Sequence, residues 1–169
     1  MRYFRREINE EKIRPDPMRK DVMISIKSIQ DAGGEPDVVE FMTDGSMFSR
    51  NGCFYISYKE SELTGMEGTT TVLKLDETPA LTLTRKGTVS SEMVFRKDVR
   101  NLSAVRMAEG SLTIGVHTFA LNSDLRPEGG SIRLGYTVEY DSEVTATHSL
   151  EVCVREKTVG TEYEIPECE

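Results

Sequence analysis

The sequence predicts an all-β protein, an antiparallel and mainly up-and-down closed β-barrel of about 8–10 strands. Three features of the chain carry that expectation. Apolar and polar residues alternate with period two in run after run from Asp21 onward. Turn-forming Gly, Asn and Asp dipeptides separate the runs at short intervals. No segment between Asp21 and Lys157 reads convincingly as a helix. Strands this numerous, joined by hairpins, must protect their edges, and closure into a barrel does so most completely. A β-sandwich is the alternative.

The elements follow in order. Residues 1–20 form an N-terminal extension. Phe4 and Ile8 share a helical face, so Arg2–Lys12 reads as a short amphipathic helix, stopped by Pro15 and Pro17, with Ile13–Lys20 as linker. The barrel domain spans residues 21–157. Its first strand places Val22, Ile24 and Ile26 on one face. Ala32–Pro36 breaks it, and Asp37–Thr43 is the second strand. Asp44-Gly45 and Asn51-Gly52 both read as hairpin turns, because these residue pairs accept positive φ at low cost. Ser46–Ser49 between them is a short strand or the continuation of the second. Cys53–Lys59 follows, then a polar connection, Ser61–Gly68, and a strand at Thr69–Leu75. Thr78-Pro79 turns the chain. Ala80–Lys86 and Thr88–Lys97 pair around Gly87, and Leu102–Met107 ends at Glu109-Gly110. Three long strands complete the domain: Ser111–Leu125, Ser131–Tyr140 and Val144–Lys157. They are joined by a turn at Pro127–Gly130 and a tight turn at Asp141–Glu143. Residues 158–169 form an acidic tail.

Size and charge narrow the classes of function. The 169 residues suit one domain with one modest core. A net charge of −8 repels phosphate backbones, so nucleic acid is not an expected partner. No run approaches the length of a membrane-spanning helix, and no apolar leader of the secretory kind precedes the domain. The three cysteines, Cys53, Cys153 and Cys168, are odd in number and widely spaced, which points to a reducing compartment and a cytoplasmic location.

Alternation sorts side chains by face. Most of the apolar face is ordinary core, but Tyr58, Arg85, Ser91, Thr118, Tyr136, Tyr140 and His148 also fall on it. Buried polar groups need partners. Such a set reads as an apolar cavity with a cationic polar end, or as strand-end groups that reach water or pair with one another. Signatures of catalysis are missing. His117 and His148 fall on opposite faces, so a His-based metal site is not expected, and no HExxH, GxSxG or GxGxxG is present. Glu60, Glu62 and Glu67 read as a solvated loop cluster.

Several stretches carry a resemblance: Asp21–Lys27 (DVMISIK), Tyr55–Thr71 (YISYKESELTGMEGTTT), Gly87–Phe95 (GTVSSEMVF) and Leu112–Thr118 (LTIGVHT). Over roughly residues 21–157, in the same order, the chain resembles the YwiB-like bacterial proteins, a family of unknown function. The resemblance implies a calycin-type, lipocalin-like β-barrel in a cytoplasmic bacterial protein, with no established activity and no catalytic residues. The chain departs from lipocalins proper, having no Trp and hence no Gly-x-Trp signature.

The functional expectation is non-catalytic binding of a small amphipathic or apolar molecule, with an anionic head, inside the barrel. Arg85 meets the head, Tyr58, Tyr136 and His148 orient it, Met93 and Phe95 line the cavity, and Glu62 and Met66 form the rim. No cofactor and no metal is expected. The alternatives are a protein-interaction module or homodimer with a filled barrel, and, ranked last, a small hydrolase-type enzyme using Glu62 or Glu92 with His148.

Overall fold

A computed structural model describes residues 19–157. The described residues form ten strands: β1 (Lys20–Asp31), β2 (Asp37–Arg50), β3 (Cys53–Lys59), β4 (Thr70–Leu75), β5 (Leu81–Lys86), β6 (Ser90–Phe95), β7 (Arg100–Met107), β8 (Gly110–Ser123), β9 (Gly129–Tyr140) and β10 (Glu143–Glu156). Each pairs antiparallel with its neighbour in sequence, and β1 pairs with β10 to close the barrel. The sandwich alternative is excluded by that closure. The expected N-terminal helix and the acidic tail lie outside the described residues, and Lys20, expected in a linker, begins β1.

The hairpin turns lie where the sequence places them, with one exception. Asn51 and Gly52 both have positive φ, as the tight β2–β3 turn requires. Asp44-Gly45 does not turn. It lies inside the continuous strand β2, where Gly45 opposes Tyr58 of β3 and Val22 of β1. A side chain at Gly45 would collide with Ile24 and with the backbone of Ser57. The glycine is there for close approach, which a sequence rule for hairpins cannot tell from a turn.

The core is the inner face of the barrel. Val22, Ile24, Ile56, Leu73, Leu81, Phe95, Val116, Ile132 and Val152 are fully buried within it. Two bulges interrupt the alternation. In β8 the register shifts between Thr118 and Ala120, so Thr118 and Leu121 both point inward and Phe119 is left on the outside. In β10 it shifts between Val144 and Ala146. Val144 and Tyr140, expected inside from strict period two, are exposed near the β9–β10 turn. Cys53 is free, whereas Cys153 is disulfide-bonded.

Candidate functional site

Strand register assembles a polar arc on the inner wall. Tyr58 of β3 opposes Thr71 of β4, Thr71 opposes Arg85 of β5, and Arg85 opposes Ser91 of β6. All four project inward because each is in phase with the core residues of its strand: Ile56, Leu73, Leu83 and Met93. A second arc runs through Thr118 of β8, Tyr136 of β9 and His148 of β10, which also oppose one another in register. The two arcs interact electrostatically: the charge on Arg85 acts on Tyr58, Tyr136 and His148.

Glu60 completes the first arc. It was expected in a solvated loop with Glu62 and Glu67, but its side chain is only 1% exposed. The inward phase of Phe54, Ile56 and Tyr58 runs on past the end of β3, and that continuation was the available signal. Glu60 Oε1 accepts a hydrogen bond from Thr71 Oγ1 at 2.6 Å, and Oε2 accepts one from Thr64 Oγ1 at 2.9 Å. Thr64 sits on a single 3₁₀ turn, Glu62–Thr64, whose start is capped by Ser61. Arg85 Nε lies 3.9 Å from Glu60 Oε1, near enough for charge pairing but too far for a hydrogen bond.

Three polar atoms are left over. Among the described residues, Arg85 Nε, Ser91 Oγ and Thr118 Oγ1 are buried with no hydrogen-bond partner. An unpartnered buried group of this kind costs about 1–3 kcal/mol. All three can donate a hydrogen bond.

Aromatic rings supply the apolar part. Tyr136 and His148 stack with centroids 4.9 Å apart, Phe95 meets Tyr136 at 4.7 Å in a tilted contact, and Phe41 of β2 lies 6.4 Å from Tyr58. Burial, followed by the charge of Glu60, raises the pKa of Tyr58, and burial raises that of Tyr136. Both phenols stay protonated. Burial, aided by Arg85, lowers the pKa of His148, which favours the neutral imidazole.

The structure thus brings Tyr58, Arg85, Tyr136 and His148 together. Met93 and Phe95 are buried in the core cluster beneath them. Glu62 is exposed and Met66 is half-buried in the connection over this end. Glu92 lies on the outer face of β6, opposite in phase to Ser91 and Met93, so it does not meet His148. Thr64, Thr71 and Glu60 were missed. Among the described residues no three His, Cys, Asp or Glu side chains converge as a metal-binding group. The chemistry this arrangement offers is recognition: one guanidinium, hydroxyl donors and aromatic faces.

Comparisons with known proteins agree with the fold. The chain is 26% identical over 131 residues to the uncharacterized beta-barrel protein YwiB of Bacillus subtilis (strain 168), covering 78% of this chain and 90% of that one. It superimposes on the crystal structure of the ywiB protein from Bacillus subtilis with a TM-score of 0.74 at 23% identity, covering 83% of this chain and 94% of that one. Residues 24–152 match a domain of unknown function, DUF1934. That match runs from within β1 to within β10 and includes both polar arcs, and the chain belongs to the DUF1934 family.

Proposed function

We propose that the barrel binds a small amphipathic molecule with an anionic head, without catalysis. The observation that carries this reading is Arg85: a guanidinium inside a barrel, with its Nε unbonded beside the unbonded hydroxyl of Ser91. A buried donor pair of this kind is costly when empty and is satisfied by an oxyanion. The stacked rings of Tyr136 and His148 offer an apolar face for the body of the molecule. Tyr136, held protonated, orients it as a hydrogen-bond donor, while the Tyr58 hydroxyl, engaged with Glu60, holds that carboxylate beside Arg85.

Native mass spectrometry of the protein purified from a bacterial host tests the reading. The expected result is a discrete extra mass that disappears on denaturation and is absent from the Arg85→Met variant, with that variant folded by circular dichroism. A wild-type protein that is free of added mass from several hosts, or an Arg85→Met variant that carries the same mass, overturns it.

A further inference from the structure

The barrel wall is weakest between β6 and β7. Among the described residues only Ser90–Arg106 and Ser91–Val105 are in ladder register there, against ten paired positions for β1 with β10. Below those two pairs, side chains take over from backbone donors. Ser103 Oγ donates to the Glu92 carbonyl at 2.7 Å, and Asn101 Nδ2 donates to the Val94 carbonyl at 3.1 Å. A groove of about 370 Å³ lies over this seam. It is lined from outside by Lys86, Glu92, Leu102 and Arg106, and it reaches the inward residues Arg85 and Ser91.

Two features give the groove a direction. It gathers three cations, Arg85, Lys86 and Arg106, against one carboxylate, Glu92, in a chain whose net charge is −8. Such a local reversal of sign draws anions to one place on an otherwise repelling surface. The loop end above Arg85 is also tied down. The Ser61–Gly68 connection is clasped to the β5–β6 turn: Thr88 Oγ1 bonds to Thr69 Oγ1 at 2.8 Å and to the Glu67 carbonyl at 2.9 Å, and Thr69 Oγ1 accepts from Val89 N at 3.2 Å. Gly87 packs backbone to backbone on Gly68 and Thr69, with no room for a side chain.

We propose that a small oxyanionic ligand reaches Arg85 and Ser91 through the β6–β7 seam, with Lys86 and Arg106 steering it and Asn101 and Ser103 latching the wall. This rests on the ligand-binding reading above and adds the route. Just beyond Ser91, where the ladder ends, the seam needs little to part, because two side-chain bonds to the Glu92 and Val94 carbonyls hold it there. The anion then meets the two donors that the protein leaves unbonded.

The test uses the full chain and anilinonaphthalene sulfonate, an amphipathic anion, followed by stopped-flow fluorescence at several ionic strengths. The wild type is expected to bind it saturably, and Arg85→Met to weaken the equilibrium affinity by about tenfold or more. Lys86→Glu with Arg106→Glu, both at exposed positions, should slow association about tenfold and remove its salt dependence, with dissociation little changed. Asn101→Ala with Ser103→Ala should speed association and dissociation by similar factors and leave affinity within about twofold. Failure of the wild type to bind the probe, or undiminished binding by Arg85→Met, overturns the ligand reading and the route together. Arg85-dependent binding whose association ignores the Lys86 and Arg106 reversals overturns the route alone, and quickening by Glu62→Lys then places entry at the loop end.

Discussion

Tyr136 and His148, on the adjacent strands β9 and β10, hold their rings within 5° of parallel. The stack fixes the imidazole on the inner wall, where burial and the charge of Arg85 both oppose its protonation. The sign of the pH dependence follows. The folded pKa lies below the ordinary 6.5, so in the window between them the unfolded chain holds the proton and the folded chain does not. His148 thus contributes stability above pH 6.5 that is lost as the pH falls through that window. His148→Phe keeps a ring against Tyr136 and removes the titration. The melting temperature of the variant should fall less steeply than that of the wild type between about pH 7 and pH 5. Parallel melting curves in one buffer series check this.

Glu60 and Arg85 should show strong coupling. Glu60→Gln keeps an acceptor for only one of Thr64 and Thr71, turns the other oxygen into a donor, and removes the countercharge 3.9 Å from Arg85. A destabilisation of about 1–3 kcal/mol is expected from urea unfolding. Arg85→Met alone strands a buried carboxylate and should also destabilise. The double variant should lose less than the sum, because neither residual charge is left unpaired.

Gly45→Ala should cost about 1–3 kcal/mol by thermal or urea unfolding, since the added methyl group meets Ile24 and the Ser57 backbone across a packed wall. A turn glycine in open solvent would be marked by strain in φ instead. Gly45 is absent from the positive-φ residues, so the penalty here is steric.

Phe119 supplies a fourth case. On the outer face beside the β8 bulge, it lies over Gly135 of β9, where a side chain would strike its ring. It remains 45% exposed. Phe119→Ala uncovers the glycine and should lower stability by about 0.5–1 kcal/mol, with no effect on probe binding inside the barrel.

Most of the barrel was legible because period-two alternation and turn chemistry are local properties. Cys53–Lys59 was predicted with its observed limits, and Asn51-Gly52 turns as its residue types require. The inward placement of Tyr58, Arg85, Tyr136 and His148 followed from the same phase argument. The failures arise where the signal is not local. Gly45 answers to strands β1 and β3, which its own neighbours in sequence do not reveal. Tyr140 and Val144 lie where strict alternation ceases to apply, beside a bulge and a turn. Glu60 was assigned by its polarity to the loop beyond β3, although its phase placed it with Tyr58. What buries it is Thr71, Thr64 and Arg85, three partners brought together only by register and by the fold of the connection.

The seam between β1 and β10 has a consequence for how the protein is made. Every other seam joins strands that leave the ribosome one after the other, so each can zip as a hairpin while synthesis continues. Val22 finds its partner Glu156 only about 130 residues later, which at typical elongation rates is on the order of 10 s. Through that interval the outer edge of β1 stands open beside a growing sheet. The nascent chain is therefore at its most vulnerable to pairing with a neighbouring copy just before β10 emerges, and completing one ten-position ladder ends that exposure at a stroke.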